Sequence, residues 1–85
     1  MVEFTNFNIF KFDKKMDRYC LNRNQQVGYG NNHEVHKSWC SYRPTPSNQI
    51  DLGYCYSEGE ALRKAKQYYS DADGCTHCCP SIHKK

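Results

Sequence analysis

His36-Lys37-Ser38-Trp39-Cys40 and Cys75-Thr76-His77-Cys78 are the two stretches that decide the reading of this chain. The second is a C-x2-C knuckle. That spacing holds two thiolates a few ångströms apart, each able to bind zinc at about 2.3 Å. One such pair cannot close a tetrahedron. The first stretch, H-x3-C, supplies the other two donors if the fold brings the pairs together, and residue 36 is then tied to residue 78. Four protein ligands leave no open position, which makes a site structural rather than catalytic. The expectation is one Zn²⁺ on His36, Cys40, Cys75 and Cys78.

Composition says why such a tie is needed. The chain has 85 residues, room for one domain. Leucine stands only at 21, 52 and 62, isoleucine at 9, 50 and 82, and valine at 2, 27 and 35. The bulk of any core therefore falls to seven Tyr, four Phe and one Trp. Tyrosine brings a hydroxyl that needs a partner, so it fills a small core less freely than leucine. A domain of this size buries only about 60–65% of its unfolded surface and is marginal without help.

Six cysteines can supply that help as disulfides or as metal ligands, and compartment decides between them. The opening Met1-Val2-Glu3-Phe4-Thr5-Asn6 has no basic segment, no apolar stretch and no small-residue cleavage site. No uncharged apolar run approaches a membrane span. These features predict a cytoplasmic protein with reduced thiols, hence metal binding over a disulfide framework, and no membrane partner. The net charge of +3 is mild, and its basic residues are scattered. A nucleic-acid binder usually carries a clustered basic face and a pI above about 9.

Around the ligand pairs, alternation and turn chemistry place the elements. Residues 2–12 read as a strand, Arg18-Tyr19-Cys20-Leu21 as a second, and His33 to Cys40 as a short third. Ile50 to Tyr56 reads as another, with Leu52, Tyr54 and Tyr56 on one face. A helix is expected from about 58 to 72. Ser57 stands at its N-cap with Glu60 three residues on. Ala61, Ala65, Tyr68 and Ala72 form its inner stripe, and Gly74 serves as a left-handed cap. The fold class is α+β: a small antiparallel sheet packed with one helix and stabilised by zinc. Residues 1–85 form a single domain, with 1–35 an aromatic-rich β extension and 36–83 the zinc-binding module.

His36-x3-Cys40, the helix start Ser57-Glu58-Gly59-Glu60-Ala61, and Gly74-Cys75-x2-Cys78-x-Pro80 together resemble the small metal-binding domain related to the N-terminal zinc domain of the Ada DNA-repair protein. The likeness runs over about 36–80, half the chain. It implies a short sheet with a packed helix and a zinc ion at one end. Ada itself uses four cysteines, one of which accepts a methyl group. His36 here replaces a thiolate, which makes the remaining thiolates less nucleophilic. Cys78-Cys79-Pro80-Ser81-Ile82-His83 is a further departure. Cys79 can replace Cys78 on the ion, and His83 can replace His36.

Blander readings cover the remaining candidates. Cys20 and Cys55 lie in strands and are expected as small buried core residues. His33 and His77 are expected at the surface or behind the ligands, with His77 pointing outward from the knuckle. Trp39 is expected to pack beside the zinc and keep water away, or else to serve as a binding aromatic. Tyr29, between Gly28 and Gly30, is a second candidate binding aromatic, with a core role as its alternative. No nucleophile–base arrangement stands out, so no enzyme is expected. The predicted function is a small adaptor, regulator or inhibitor that docks on a larger protein. A nucleic-acid-binding accessory domain is the alternative, and a thiol-reactive alkyl-transfer or redox protein a third.

Overall fold

Tyr19, Cys20 and Leu21 are consecutive and all three are buried, which requires a strand covered on both faces. In the computed structural model, which describes residues 16–25 and 32–84, that strand lies inside a sheet. The described elements are β1 (Asp17–Asn22), β2 (His33–Lys37), β3 (Gln49–Cys55), α1 (Glu58–Ala65) and β4 (Ala72–Gly74). Short 3-10 turns occupy Pro46–Asn48 and Pro80–Ile82. The sheet has four strands in the order β3-β1-β2-β4. β1 pairs antiparallel with both β2 and β3, while β4 pairs parallel with β2. The fold is therefore α+β, as the sequence indicates, but its sheet is mixed rather than wholly antiparallel.

β1 and the first residues of β2 are integral to this sheet, so the residues before 36 are not all an extension. The strand expected over 2–12 and the candidate Tyr29 lie outside the described residues. Register then sorts the side chains by face. Cys20 pairs with His36, and Leu21 with Val35. Paired residues of antiparallel strands share a face, so Cys20 and His36 point one way and Leu21 and Val35 the other.

β3 departs from simple alternation. Tyr19 pairs with Gly53, but Cys20 pairs with Asp51, so Leu52 is an extra residue in the ladder. This is a β-bulge, and Gly53 takes φ +74°, which a side chain would resist. Asp51 Oδ1 accepts the Gly53 N–H at 2.9 Å and holds the bend. In consequence Leu52 and Cys55 turn inward, while Tyr54 and Tyr56 are 59% and 69% exposed. The expected common face for Leu52, Tyr54 and Tyr56 is corrected by this one inserted residue.

α1 starts where its cap predicts. Ser57 Oγ accepts the Glu60 N–H at 3.0 Å, and Glu60 Oε1 reaches back to the Tyr56 N–H at 2.8 Å. It buries Ala61 and Ala65 against the sheet, and their small size permits close approach. The helix ends at Ala65 rather than near 72. The chain there must turn to form β4: Tyr69 stacks on His33 with ring centroids 3.7 Å apart, and Asp71 Oδ1 lies 2.6 Å from His33 Nδ1. Tyr68 is consequently exposed, and Ala72 packs from a strand. Gly74 is not a helix cap. It lies in β4, where a Cβ would meet Ile82 and come within 2.6 Å of the Cys79 carbonyl oxygen. Glycine is required there by close approach, not by backbone angle.

The core is thin. Among the described residues its thirteen buried members include five cysteines, Cys40, Cys55, Cys75, Cys78 and Cys79, beside Tyr19, Leu21, Val35, Leu52, Ile82 and three alanines. Among the described residues, no helix is long and apolar enough to cross a membrane.

Candidate metal centre

The two ligand pairs meet at the end of β2. His36 is the second-last residue of that strand. The chain then folds back in tight turns: Cys40 N–H donates to Lys37 O at 3.0 Å and Arg43 N–H to Cys40 O at 3.1 Å. The second pair arrives along the neighbouring strand. Past β4, the Cys75 N–H donates to Val35 O at 2.9 Å, which fixes Cys75 alongside the residue before His36. Cys79 N–H donates to Cys75 O at 2.8 Å and closes the knuckle.

The result is a buried group of one imidazole and three thiols. The ligand atoms of His36, Cys40, Cys75 and Cys78 all lie within 4.8 Å of one another. A tetrahedral ion with metal–sulfur bonds near 2.3 Å would hold its donors about 3.7 Å apart, so only a small contraction separates this group from a closed site. Backbone N–H groups already face the sulfurs. Lys37 N donates to Cys78 Sγ at 3.2 Å, Tyr42 N to Cys40 Sγ at 3.4 Å, and His77 N to Cys75 Sγ at 3.4 Å. Such bonds favour the thiolate form.

Without an ion, however, Cys75, Cys78 and His36 keep their protons at neutral pH. Burial pushes the Cys75 thiol up to about 12. The Cys79 contact, then burial, raise Cys78 to about 11. Burial works against a charged His36, but the neighbouring Cys78, Glu34 and Cys40 side chains outweigh it and raise its pKa to about 10. Several buried thiols and a protonated imidazole are a costly arrangement for an interior. A bound cation would remove the protons and leave each group with a partner.

One observation tests the fit directly. His36 Nδ1 is buried and has no hydrogen-bond partner among the described residues. Its other nitrogen, Nε2, lies 3.4 Å from Glu34 Oε1. A metal-bound histidine typically offers one ring nitrogen to the ion and turns the other toward a carboxylate. The residues present fit a metal ion. Glu34 was not among the candidates from sequence, although its position two residues before His36 on a strand puts both on one face.

The remaining candidates go elsewhere. Cys79 is fully buried with its Sγ 3.6 Å from Cys78 Sγ, outside the four-donor group. His83 Nδ1 sits 2.9 Å from Gly74 O and 3.3 Å from Asp73 Oδ2, also outside it. Trp39 does not cover the site: it is 62% exposed, with Lys37 Nζ 5.5 Å from its ring centroid. The chain turns so tightly toward Cys40 that the residue before the ligand is thrown outward. His77 points out of the knuckle and stacks on Tyr42 at 4.0 Å, joining the two ligand turns. Neither neighbour in sequence nor periodicity announces that stack. Cys20 and Cys55 are both buried, and all six cysteines are free thiols. Comparison of the chain with protein-family models, curated proteins and solved structures found no match.

Proposed function

We propose that this chain is a small non-catalytic module, stabilised by one Zn²⁺ on His36, Cys40, Cys75 and Cys78, that acts as an adaptor, regulator or inhibitor by docking on a larger protein. The observation that carries the metal part is the complete and buried set of four protein donors. Three thiols and an imidazole suit zinc, whose structural sites are closed tetrahedra of this kind. When bound, the ion supplies cross-linking between strand end and knuckle and holds the thiols as thiolates. A filled set of ligands leaves no place for substrate or an activated water. The donor order, with its capped helix between the pairs, supports kinship with the Ada-type metal-binding domain.

The docking part is supported by what the zinc turns present to solvent. Trp39 and Tyr42, on either side of the ligand Cys40, are both 62% exposed. The Ser38 turn also forms one wall of an open groove of about 520 Å³, lined further by Arg18, Pro46, Gln49 and Tyr54. Exposed Trp, Tyr and Arg are the side chains that most often dominate binding energy at protein interfaces. The basic groups among them are already balanced: Arg18 pairs with Asp51 at 2.8 Å, and Lys37 with Asp17 and Glu58 at 3.6 and 3.8 Å. That balance favours a protein partner over the phosphate backbone of a nucleic acid.

Native mass spectrometry with and without a chelator tests the metal, with one zinc per chain expected. Affinity capture from the native host tests the docking. One partner should be retained by the parent protein and lost from Trp39→Ala and Tyr42→Ala at unchanged zinc content. Oligonucleotide binding tighter than about 100 µM that weakens steeply with salt would replace this reading with the nucleic-acid one.

A further inference from the structure

Cys79 is a buried thiol that touches the metal centre without being part of it. Its Sγ lies 3.6 Å from Cys78 Sγ, and that sulfur is its hydrogen-bond partner among the described residues. The two differ in exposure: Cys78 keeps 5% of its surface and Cys79 none. All three thiols of the centre accept a backbone N–H, Cys40 from Tyr42, Cys75 from His77 and Cys78 from Lys37, but of the three only Cys78 has a further thiol against it. A metal-bound Cys78 therefore stands beside a second cysteine that lies outside the four-donor group.

We propose that Cys78 and Cys79 form a peroxide-sensitive release switch on the metal centre, in which Cys79 captures oxidised Cys78 as a disulfide and the ion loses a ligand. The proposal rests on the zinc reading above and adds regulation to it. In the first step the Cys78 thiolate attacks a hydroperoxide: the O–O bond breaks, an S–O bond forms, and hydroxide (or an alkoxide) leaves. Cys78 is then a sulfenic acid. In the second step the Cys79 sulfur attacks the Cys78 sulfur. The S–O bond breaks, the S–S bond forms, and the departing hydroxyl leaves as water with the Cys79 proton. The two thiols lose two electrons and the peroxide gains them. The ion then keeps only His36, Cys40 and Cys75, with one negative donor fewer.

Adjacency in sequence makes the switch reversible. Neighbouring residues hold their Cα atoms about 3.8 Å apart, below the usual disulfide range of about 4.4–6.8 Å. A disulfide closed there is strained and easily reduced, which suits a regulatory bond more than a structural one. Burial of Cys79 also spares it from direct oxidation, so it remains a thiol until Cys78 reacts.

The test uses the full chain loaded with one zinc and titrated with hydrogen peroxide. Released zinc is followed with a chromogenic chelator, and disulfides by peptide mass spectrometry. One zinc should appear for each chain that loses two hydrogens, with the loss mapped to the peptide holding Cys78 and Cys79. A dithiol reductant should restore zinc binding. Cys79→Ala and Cys79→Ser should bind zinc like the parent, form no disulfide at Cys78, and accumulate Cys78 as sulfinic acid, so that the dithiol reductant no longer restores zinc binding. A disulfide between Cys78 and Cys40 or Cys75, or variants whose zinc binding the reductant restores as fully as the parent's, would overturn the switch. Should either variant fail to fold, the disulfide map of the parent decides alone. A chain that takes up no zinc before peroxide is added overturns the metal reading instead.

Discussion

The two ends of this domain are held by different physics. At the metal end, β2 and the turns after β2 and β4 bury His36, Cys40, Cys75 and Cys78, small or polar groups that gain little from an apolar interior until an ion pairs them. At the helix end, α1 buries two alanines and relies on a Ser57 cap. Its eight residues are too few for an isolated helix, which needs about 12–15. The first end is strong and conditional on a ligand; the second is weak and unconditional. Gly74 lies where they join, under Ile82 and the Cys79 carbonyl.

Removing the ion should separate the ends most sharply. Chelation, or Cys75→Ser, should unfold the chain, since structural zinc contributes about 10–16 kcal/mol at neutral pH in comparable domains. Circular dichroism during chelator titration reads this directly. A chain that kept its sheet signal without metal would show that the apolar core suffices.

Acid should act on the same end. Cys75, Cys78 and His36 all hold protons at pH 7 in the metal-free fold, with pKa values raised to about 12, 11 and 10. The loaded fold needs all three deprotonated, so protons compete with the ion. Bound zinc in effect depresses these pKa values below their unfolded ones, so its stabilisation is present at high pH and lost as pH falls. Apparent zinc affinity should drop by more than about tenfold per pH unit between 8 and 6, as competition chelation would measure. A flat profile would mean that the thiols are not the ligands.

Gly74→Ala tests the joint. Its Cβ would press on packed backbone at the Cys79 carbonyl, an overpacking that costs about 1–3 kcal/mol. The zinc-loaded melting temperature should fall accordingly, and an unchanged value would show that the knuckle shifts freely. The smallest effect belongs to the helix end. Ser57→Ala removes the side chain that accepts the Glu60 N–H and should cost about 1 kcal/mol, with zinc stoichiometry unchanged in a denaturant melt. A lost zinc ion in that variant would join the two ends into one cooperative unit.

The metal centre was far more legible in the sequence than the sheet around it. Structural zinc sites draw mainly on His and Cys at short spacings, so the pairs at 36/40 and 75/78 are visible as text, with Cys79 as an alternative to Cys78. The Ser57–Glu60 cap is equally local. The helix end and the fate of Gly74 were not legible, because both depend on β4 pairing with β2, and a three-residue strand carries no periodicity of its own. Trp39 misled for a similar reason: a large aromatic beside a ligand reads as cover, but the turn geometry sends it to solvent.

The amino-acid sequence by itself determined the candidate donor set, the helix start and the scarcity of aliphatic side chains, since each follows from residue type and short spacing. Only the tertiary structure decided that the fourth strand runs parallel, that one extra residue at Leu52–Gly53 reverses the tyrosine face, and that Cys79 rests against a ligand without joining the ligands. Those outcomes depend on which backbone groups find partners across distances of tens of residues, and no local pattern encodes that choice.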